Sequence, residues 1–128
     1  MIRGDASEVY TLANDLEQVG RRTVPAVRAG VSAVGELMAK AARNNAIQTS
    51  GVHAKHYPDS WDSELTFSIA TVTVEFGPNV DKKQGILGRA LEFGGRRSPA
   101  HLDGAKALSA NEHRAEVVLD QYVHPLFP

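Results

Sequence analysis

Apolar residues at helical spacing predict a first helix near the start of the chain. The apolar positions between residues 7 and 19 are Val9, Leu12, Ala13, Leu16 and Val19. Asp5 or Ser7 can cap the start of such a helix, and Gly20 follows its last apolar position. The pattern therefore predicts a short amphipathic helix that ends at Gly20.

A second helix is predicted after the two arginines that follow. Thr23 suits an N-cap, and Pro25 stands where a first helical turn tolerates a missing N–H. One apolar stripe with a 3-4-3-4-3 spacing follows, formed by Val24, Val27, Val31, Val34, Met38 and Ala41. Each large aliphatic side chain contributes about 1.5 to 3 kcal/mol when fully buried. We therefore expect this helix to organise the core.

A long loop is predicted between this helix and the next patterned segment. The stretch RNNAIQTSGVHAKHYPDS, residues 43–60, has no apolar period and is rich in turn-forming residues. Such a loop is longer than most connections in compact domains. We expect residues 48–60 to be mobile in the isolated subunit and to become ordered against a neighbour.

Alternation of apolar and polar residues then predicts strands. The first apolar set is Leu65, Phe67 and Ile69, and the second is Val72, Val74 and Phe76. Because the parity changes at Ala70 and Thr71, the segment is either two strands joined by a tight turn or bulge, or one long strand with a bulge. Gly77 and Pro78 end it.

The last third of the chain predicts one more short strand and a helical region. RALEF, residues 89–93, fits a third strand closed by Gly94 and Gly95, and Pro99 opens a helical run that splits near Ser109. The element order is ααββ(β)α. This order predicts the α+β class, with a small antiparallel sheet and helices packed on one face, in a single domain of residues 1–128.

Composition narrows the classes of protein. The chain has 128 residues, no cysteine and a net charge of −1. The lack of cysteine excludes disulfides, thiolate zinc sites and a cysteine nucleophile. No apolar run is long enough to span a bilayer, and the first residues do not resemble a signal peptide. We therefore expect a soluble protein, intracellular at synthesis, with no membrane partner.

Charge alternates in blocks along the chain. Residues 58–81 carry five acids and no base, whereas residues 82–106 carry six bases and two acids. One interpretation is that solvated faces happen to cluster. The other is a subunit with complementary faces that contacts further copies.

Two groups of residues carry candidate chemistry. His53, His56, Asp59 and Asp62 are metal-ligand types, but their spacing matches no established zinc motif and no rigid element is predicted to fix them. His101 and Asp103 could supply a base and its orienting carboxylate, but no nucleophile motif accompanies them. We therefore predict no enzyme activity, no metal and no cofactor.

The segment GGRRSP, residues 94–99, resembles a phosphate-binding loop only in composition, because it lacks the GxxxxGK[ST] motif. Its arginines could still contact a nucleic-acid backbone through charge. An alternative function is therefore a nucleic-acid-binding or regulatory module of a prophage, which would use Arg21, Arg22, Arg96 and Arg97. A solvated corner loop is the simpler interpretation of the segment.

Three short motifs in order resemble a known family. They are the GP of residues 77–78, the EFG of residues 92–94 and the PAHLD of residues 99–103. Together with HAKHYPDSW, residues 53–61, they are similar to the small neck and tail-completion proteins of long-tailed phages, in the form common in phages of actinobacteria. The resemblance covers about residues 40–108 in motif. Ala100 departs from it, since the family tends to have a second proline there.

The resemblance implies a structural virion protein at the head–tail junction, in a connector, tail-terminator or tail-completion role. It implies assembly in the host cytoplasm as a homo-oligomeric ring. The implied partners are further copies, the neighbouring neck and tail-tube proteins, and DNA that passes through the ring. It brings no catalytic residue and no cofactor. Candidate subunit contacts are Asp59, Asp62, Glu92, Phe93, Gly94, Arg96, Arg97, Pro99, His101 and Asp103.

Overall fold

The computed structural model describes residues 6–68, 71–96 and 99–126, with side chains described from residue 23 onward. It contains helix α1 (Ala6–Thr49), strands β1 (Trp61–Phe67) and β2 (Val72–Pro78), and helices α2 (Gly88–Phe93) and α3 (Asp103–Val123). Helices pack against a two-stranded antiparallel sheet. The α+β class is therefore confirmed, with helix as the predominant element.

Helix α1 is continuous, so the prediction of two helices separated at Gly20 is wrong. Thr23 does not cap a helix, and Pro25 lies inside one. A proline in a helix interior removes one hydrogen bond and costs about 3 kcal/mol. In the sequence, however, Val19, Thr23 and Val27 are four residues apart, so the helical period continues across this stretch. The local stop signals did not outweigh that period.

The two predicted strands are confirmed as a β-hairpin. Glu64 lies opposite Glu75, and Thr66 lies opposite Thr73. The N–H of Ser68 donates to the carbonyl of Thr71 at 2.9 Å and closes the turn, whereas residues 69–70 lie outside the described part. The third predicted strand is wrong, because residues 89–93 belong to α2. Arg, Ala, Leu and Glu are strong helix formers, and this stretch shows no alternation.

Helix α1 lies directly on the sheet at a glycine. A Cβ on Gly35 would overlap the side chain of Val74 and lie 3.2 Å from the Cβ of Ser63. The alternating residues Glu64, Thr66, Thr73 and Glu75 are exposed on the opposite face of the sheet. The hairpin therefore covers α1 with one face and turns a polar face outward.

Helix α3 runs antiparallel along another side of α1. Its first residue, Asp103, is held by Asn45. Near its other end Leu119 packs over Gly30, where an added Cβ would lie 2.8 Å from the leucine Cδ1. The helix begins at Asp103 and not at Pro99, and it is not split at Ser109. A single serine does not end a helix when tertiary contacts hold the helix both before and after that serine.

The predicted loop of residues 43–60 is largely ordered structure. Helix α1 extends to Thr49, and two short 3-10 helices, Val52–Ala54 and Pro58–Ser60, follow. Tyr57 and Ser60 are fully buried, and the rings of Tyr57 and Trp61 pack edge to face at 6.2 Å. The buried residues of this segment therefore pack within the subunit, whereas Val52 and Asp59 remain exposed. The mobility expected of residues 48–60 stays a prediction.

Candidate assembly surfaces

The segment from Leu91 to Gly104 forms a hydrogen-bonded corner between α2 and α3. The N–H of His101 donates to the carbonyl of Leu91 at 2.9 Å, and the N–H of Leu102 donates to that of Glu92 at 3.1 Å. Gly94 ends α2 with a φ of 76°, which a residue without a Cβ adopts easily. Gly94 thus closes the RALEF segment as predicted, although that segment is a helix and not a strand.

Glu92 caps helix α3. Its carboxylate accepts hydrogen bonds from the N–H groups of Gly104, at 3.0 and 3.2 Å, and of Ala105, at 3.2 Å. A carboxylate at a helix N-terminus satisfies donors that lack an intrahelical partner and interacts favourably with the helix dipole. Glu92 was predicted as a subunit contact, and the structure gives its carboxylate this internal role.

Asp103 joins α3 to the end of α1. Its side chain is fully buried, and the hydroxyl of Thr49 lies 2.9 and 3.1 Å from its two oxygens. The Nδ1 of His101 lies 3.9 Å from its Oδ2. Burial raises the pKa of Asp103, and the hydrogen bond from Thr49 acts in the opposite direction. The structure thus brings the predicted pair together in the interior, where Asp103 cannot reach a neighbouring subunit.

The aromatic residues beneath the corner carry buried polar atoms. The hydroxyl of Tyr57 and the Nε1 of Trp61 are both buried, and among the described residues neither has a hydrogen bond of good geometry. Burial, with additional repulsion from Glu92 and Asp103, raises the pKa of the Tyr57 hydroxyl. The apolar pattern did not mark either residue as core, because both stand in or beside a stretch without apolar period.

The rest of the corner is exposed. Phe93 is 72% exposed, and Arg96 and Pro99 are exposed beside it, whereas Arg97 and Ser98 lie outside the described part. An apolar groove of about 400 Å³ adjoins Phe93. Its lining includes Trp61, Phe76, Pro78, Phe93 and Leu108. Phe93, Arg96 and Pro99 are therefore available for a subunit contact.

The two aspartates predicted as subunit contacts, Asp59 and Asp62, lie at the start of the hairpin. Asp59 is exposed in the second 3-10 helix, and Asp62 forms an ion pair with Lys82 at 3.2 Å. The hydrogen bond from Lys82 lowers the pKa of Asp62, and the N–H of Ser63 adds to this effect. Asp62 is therefore partly neutralised within its own subunit, whereas Asp59 remains available.

The histidines and aspartates considered as metal ligands do not come together at one point. Among the described residues, no group of three or more histidines and carboxylates is placed to hold a metal ion. The backbone of the two histidines is used instead, because Gln84 donates to the carbonyl of His53 at 2.6 Å and accepts from the N–H of His56 at 2.7 Å. Gln84 adopts a φ of 60° to make this bridge between loops.

Arg21 and Arg22, named for the alternative nucleic-acid function, lie within α1. In the part of the chain that the structure describes, no helix is long and apolar enough to cross a membrane.

Comparison with known proteins gives no match: no family model, no curated protein and no solved structure matches the chain. The resemblance to phage neck proteins therefore stays a prediction that rests on the motifs in the sequence.

Proposed function

We propose that this chain is a structural virion protein at the head–tail junction of a tailed phage, in a connector, tail-terminator or tail-completion role. It acts by assembling with further copies into a ring and not by catalysis. Its other partners are neighbouring neck and tail-tube proteins, and the ring surrounds the path of the DNA.

The observation that carries this proposal is the exposed corner beside an apolar groove. Phe93 is 72% exposed and Arg96 is exposed near it. The groove of about 400 Å³ that Phe93 borders is lined by Trp61, Phe76 and Leu108. An exposed aromatic side chain beside an apolar groove is the kind of surface that contacts between subunits bury.

Exposed apolar side chains support the same conclusion. Val52 is 85% exposed, Ile86 is 79% exposed and Phe93 is 72% exposed. Single exposed apolar residues are normal, whereas contiguous apolar patches indicate an interaction site, and among these three residues Phe93 borders the apolar groove. Within the described part of the chain, the buried apolar residues are few and mostly small, namely Met38, Ala39, Ala42, Ala46, Ala54, Tyr57, Trp61 and Ala107. Further burial in an assembly would therefore add to a modest core.

The corner gives the proposed contact a rigid base. Glu92 and the backbone of His101 and Leu102 hold the segment in place, while Phe93 and Arg96 project from it. A preorganised contact loses less conformational entropy on association than a mobile one. This arrangement suits the role that the motif resemblance implies for the corner.

Negative-stain microscopy and sedimentation of the purified protein test the proposal. We expect ring-shaped particles of uniform diameter and a mass that is a multiple of the subunit mass. Phe93→Ser should weaken assembly and leave the circular dichroism unchanged, because the side chain is exposed. Val117→Ser, at an exposed position of α3 outside the corner, is the control and should leave assembly unchanged.

A different outcome would favour the alternative function. If the protein stays monomeric at every concentration and binds DNA in a manner that Arg96→Glu abolishes, the prophage nucleic-acid-binding module replaces the neck protein.

A further inference from the structure

Within the described part of the chain, the outer edge of β2 has no partner. The N–H of Asn79 donates to Ser60 at 2.7 Å and that of Ser68 donates to Thr71 at 2.9 Å, which fixes the hydrogen-bonded pairs of the hairpin. Since these pairs alternate along an antiparallel ladder, the backbone groups of Val72, Val74 and Phe76 point away from β1. Among the described residues, none forms a hydrogen bond with these outward groups.

The edge of β1 is partly occupied. The Nη2 of Arg43 donates to the carbonyl of Trp61 at 2.7 Å, and the N–H of Ser63 donates to the side chain of Asp62 at 3.0 Å. Both groups belong to residues whose backbone points away from β2. The edge of β2 is therefore the more open of the two, and unprotected edges of this kind accept an additional strand.

We propose that the occupant is β2 of a second copy, paired antiparallel about Val74. Two copies related by a two-fold axis then form one four-stranded sheet. In this register Val74 faces Val74 of the second copy, and Val72 faces Phe76 of the second copy. All the outward N–H and C=O groups of these three residues are satisfied at once, as an isologous contact requires.

The side chains fit this register as well. On the face toward α1, apolar residues meet apolar residues, since Val72, Val74 and Phe76 all lie there half-buried. On the exposed face Thr73 meets Glu75 of the second copy, so two glutamates do not face each other. Pairing β2 with β1 of a second copy in the register of the hairpin would add a further Glu64–Glu75 pair to the one that the hairpin already contains, and like charges in that position are destabilising.

The contact goes beyond the proposed function, because a two-fold pair closes on itself whether or not other surfaces form a ring.

Charge substitutions at Thr73 test the register. Its side chain is exposed, so Thr73→Lys and Thr73→Glu should both fold. Thr73→Lys creates two Lys–Glu pairs across the axis and should lower the dimer Kd, whereas Thr73→Glu creates two Glu–Glu pairs and should raise it. We expect the two values to differ by about tenfold or more at low salt, and the difference to shrink in high salt.

Thr66 is the matched control. It lies directly opposite Thr73 in the hairpin, on the same exposed face, but on β1. Thr66→Lys and Thr66→Glu should leave the dimer Kd at the wild-type value. If the Thr66 variants change the Kd as much as the Thr73 variants do, β1 supplies the contact and the proposal is overturned.

Hydrogen exchange tests the backbone pairing directly, and it separates this contact from ring assembly. The amides of Val72, Val74 and Phe76 should be protected in concentrated wild-type protein and exchange fast on dilution. Val72→Pro removes an outward N–H and keeps the hairpin ladder, so it should abolish this protection with unchanged circular dichroism. Fast exchange of the three amides in concentrated wild type would refute the proposal, even if rings are seen.

Discussion

The hydroxyl of Thr49 lies 2.9 Å from Oδ1 of Asp103, and this hydrogen bond joins the end of α1 to the start of α3. Asn45 adds a second link, since its Nδ2 donates to the carbonyl of Asp103 at 3.0 Å. Asp103 therefore holds together two helices whose contacting residues are more than fifty positions apart in the sequence.

The buried carboxyl of Asp103 should make stability depend on pH. Because burial raises its pKa in the folded state, its contribution to stability is fully present below the unfolded pKa of about 3.9 and is lost as the pH rises through the raised value. Asp103→Asn removes this titration. In urea unfolding, the stability of wild type relative to Asp103→Asn should be greater below the unfolded pKa of about 3.9 than at a pH well above it. An equal difference at both pH values would contradict this assignment.

The capping role of Glu92 predicts a loss of stability that a surface contact would not give. Glu92→Ala should cost about 0.5 to 2 kcal/mol in the free energy of unfolding, because the N–H groups of Gly104 and Ala105 lose their acceptor. Glu116→Ala, at an exposed position within α3, should change it by less than about 0.5 kcal/mol. Thermal or urea unfolding of the monomer provides the measurement. Equal effects of the two substitutions would contradict the capping role.

The contact between α1 and the sheet depends on a missing side chain. Gly35→Ala should destabilise the fold by about 1 to 3 kcal/mol, since its Cβ would overlap Val74 and force the helix and the sheet apart. Gly51→Ala is the control, because no described atom lies within 4 Å of the Cβ it would add. Urea unfolding compares the two. A stabilised Gly35→Ala would show that helix propensity outweighs the close packing.

The same glycine shows why the sequence predicted the class of fold better than its packing. Apolar spacing marked large side chains, and Val24 in that stripe proved 46% exposed. The most buried positions of α1 are instead mostly small residues, such as Gly35, Ala42 and Ala46. A helix covered on two sides needs small residues where the neighbouring elements come closest. Periodicity alone does not reveal that second neighbour.

In the candidate site, too, the sequence predicted some features and not others. The glycine that ends the RALEF segment could be predicted, because Gly94 tolerates the positive φ that such an end often requires. The roles of Glu92 and Asp103 could not, since both depend on partners that are distant in the sequence. Residue type predicted a polar corner, and only the fold separated its internal carboxylates from its exposed Phe93 and Arg96.

The last prediction concerns the basic corner in assembly. The double substitution Arg96→Glu with Arg97→Glu should leave the monomer folded, because Arg96 is exposed and substitutions at exposed positions usually change stability by less than about 0.5 kcal/mol. It should weaken assembly at low salt, since the basic corner of one subunit would lose its attraction to the acidic hairpin of the next. Each exposed ion pair contributes only about 0.2 to 1 kcal/mol, but a ring repeats it at every interface.

Compensation identifies the acidic partner of this corner. Asp62 already pairs with Lys82 at 3.2 Å, so the exposed Asp59 is the better position for a compensating substitution. Asp59→Arg should restore assembly of the double variant, and Asp62→Arg should restore less, because it also repels Lys82. Sedimentation at low and high salt measures both effects. If the double variant assembles as well as wild type at low salt and loses DNA binding instead, the corner binds nucleic acid and the neck function loses its electrostatic support.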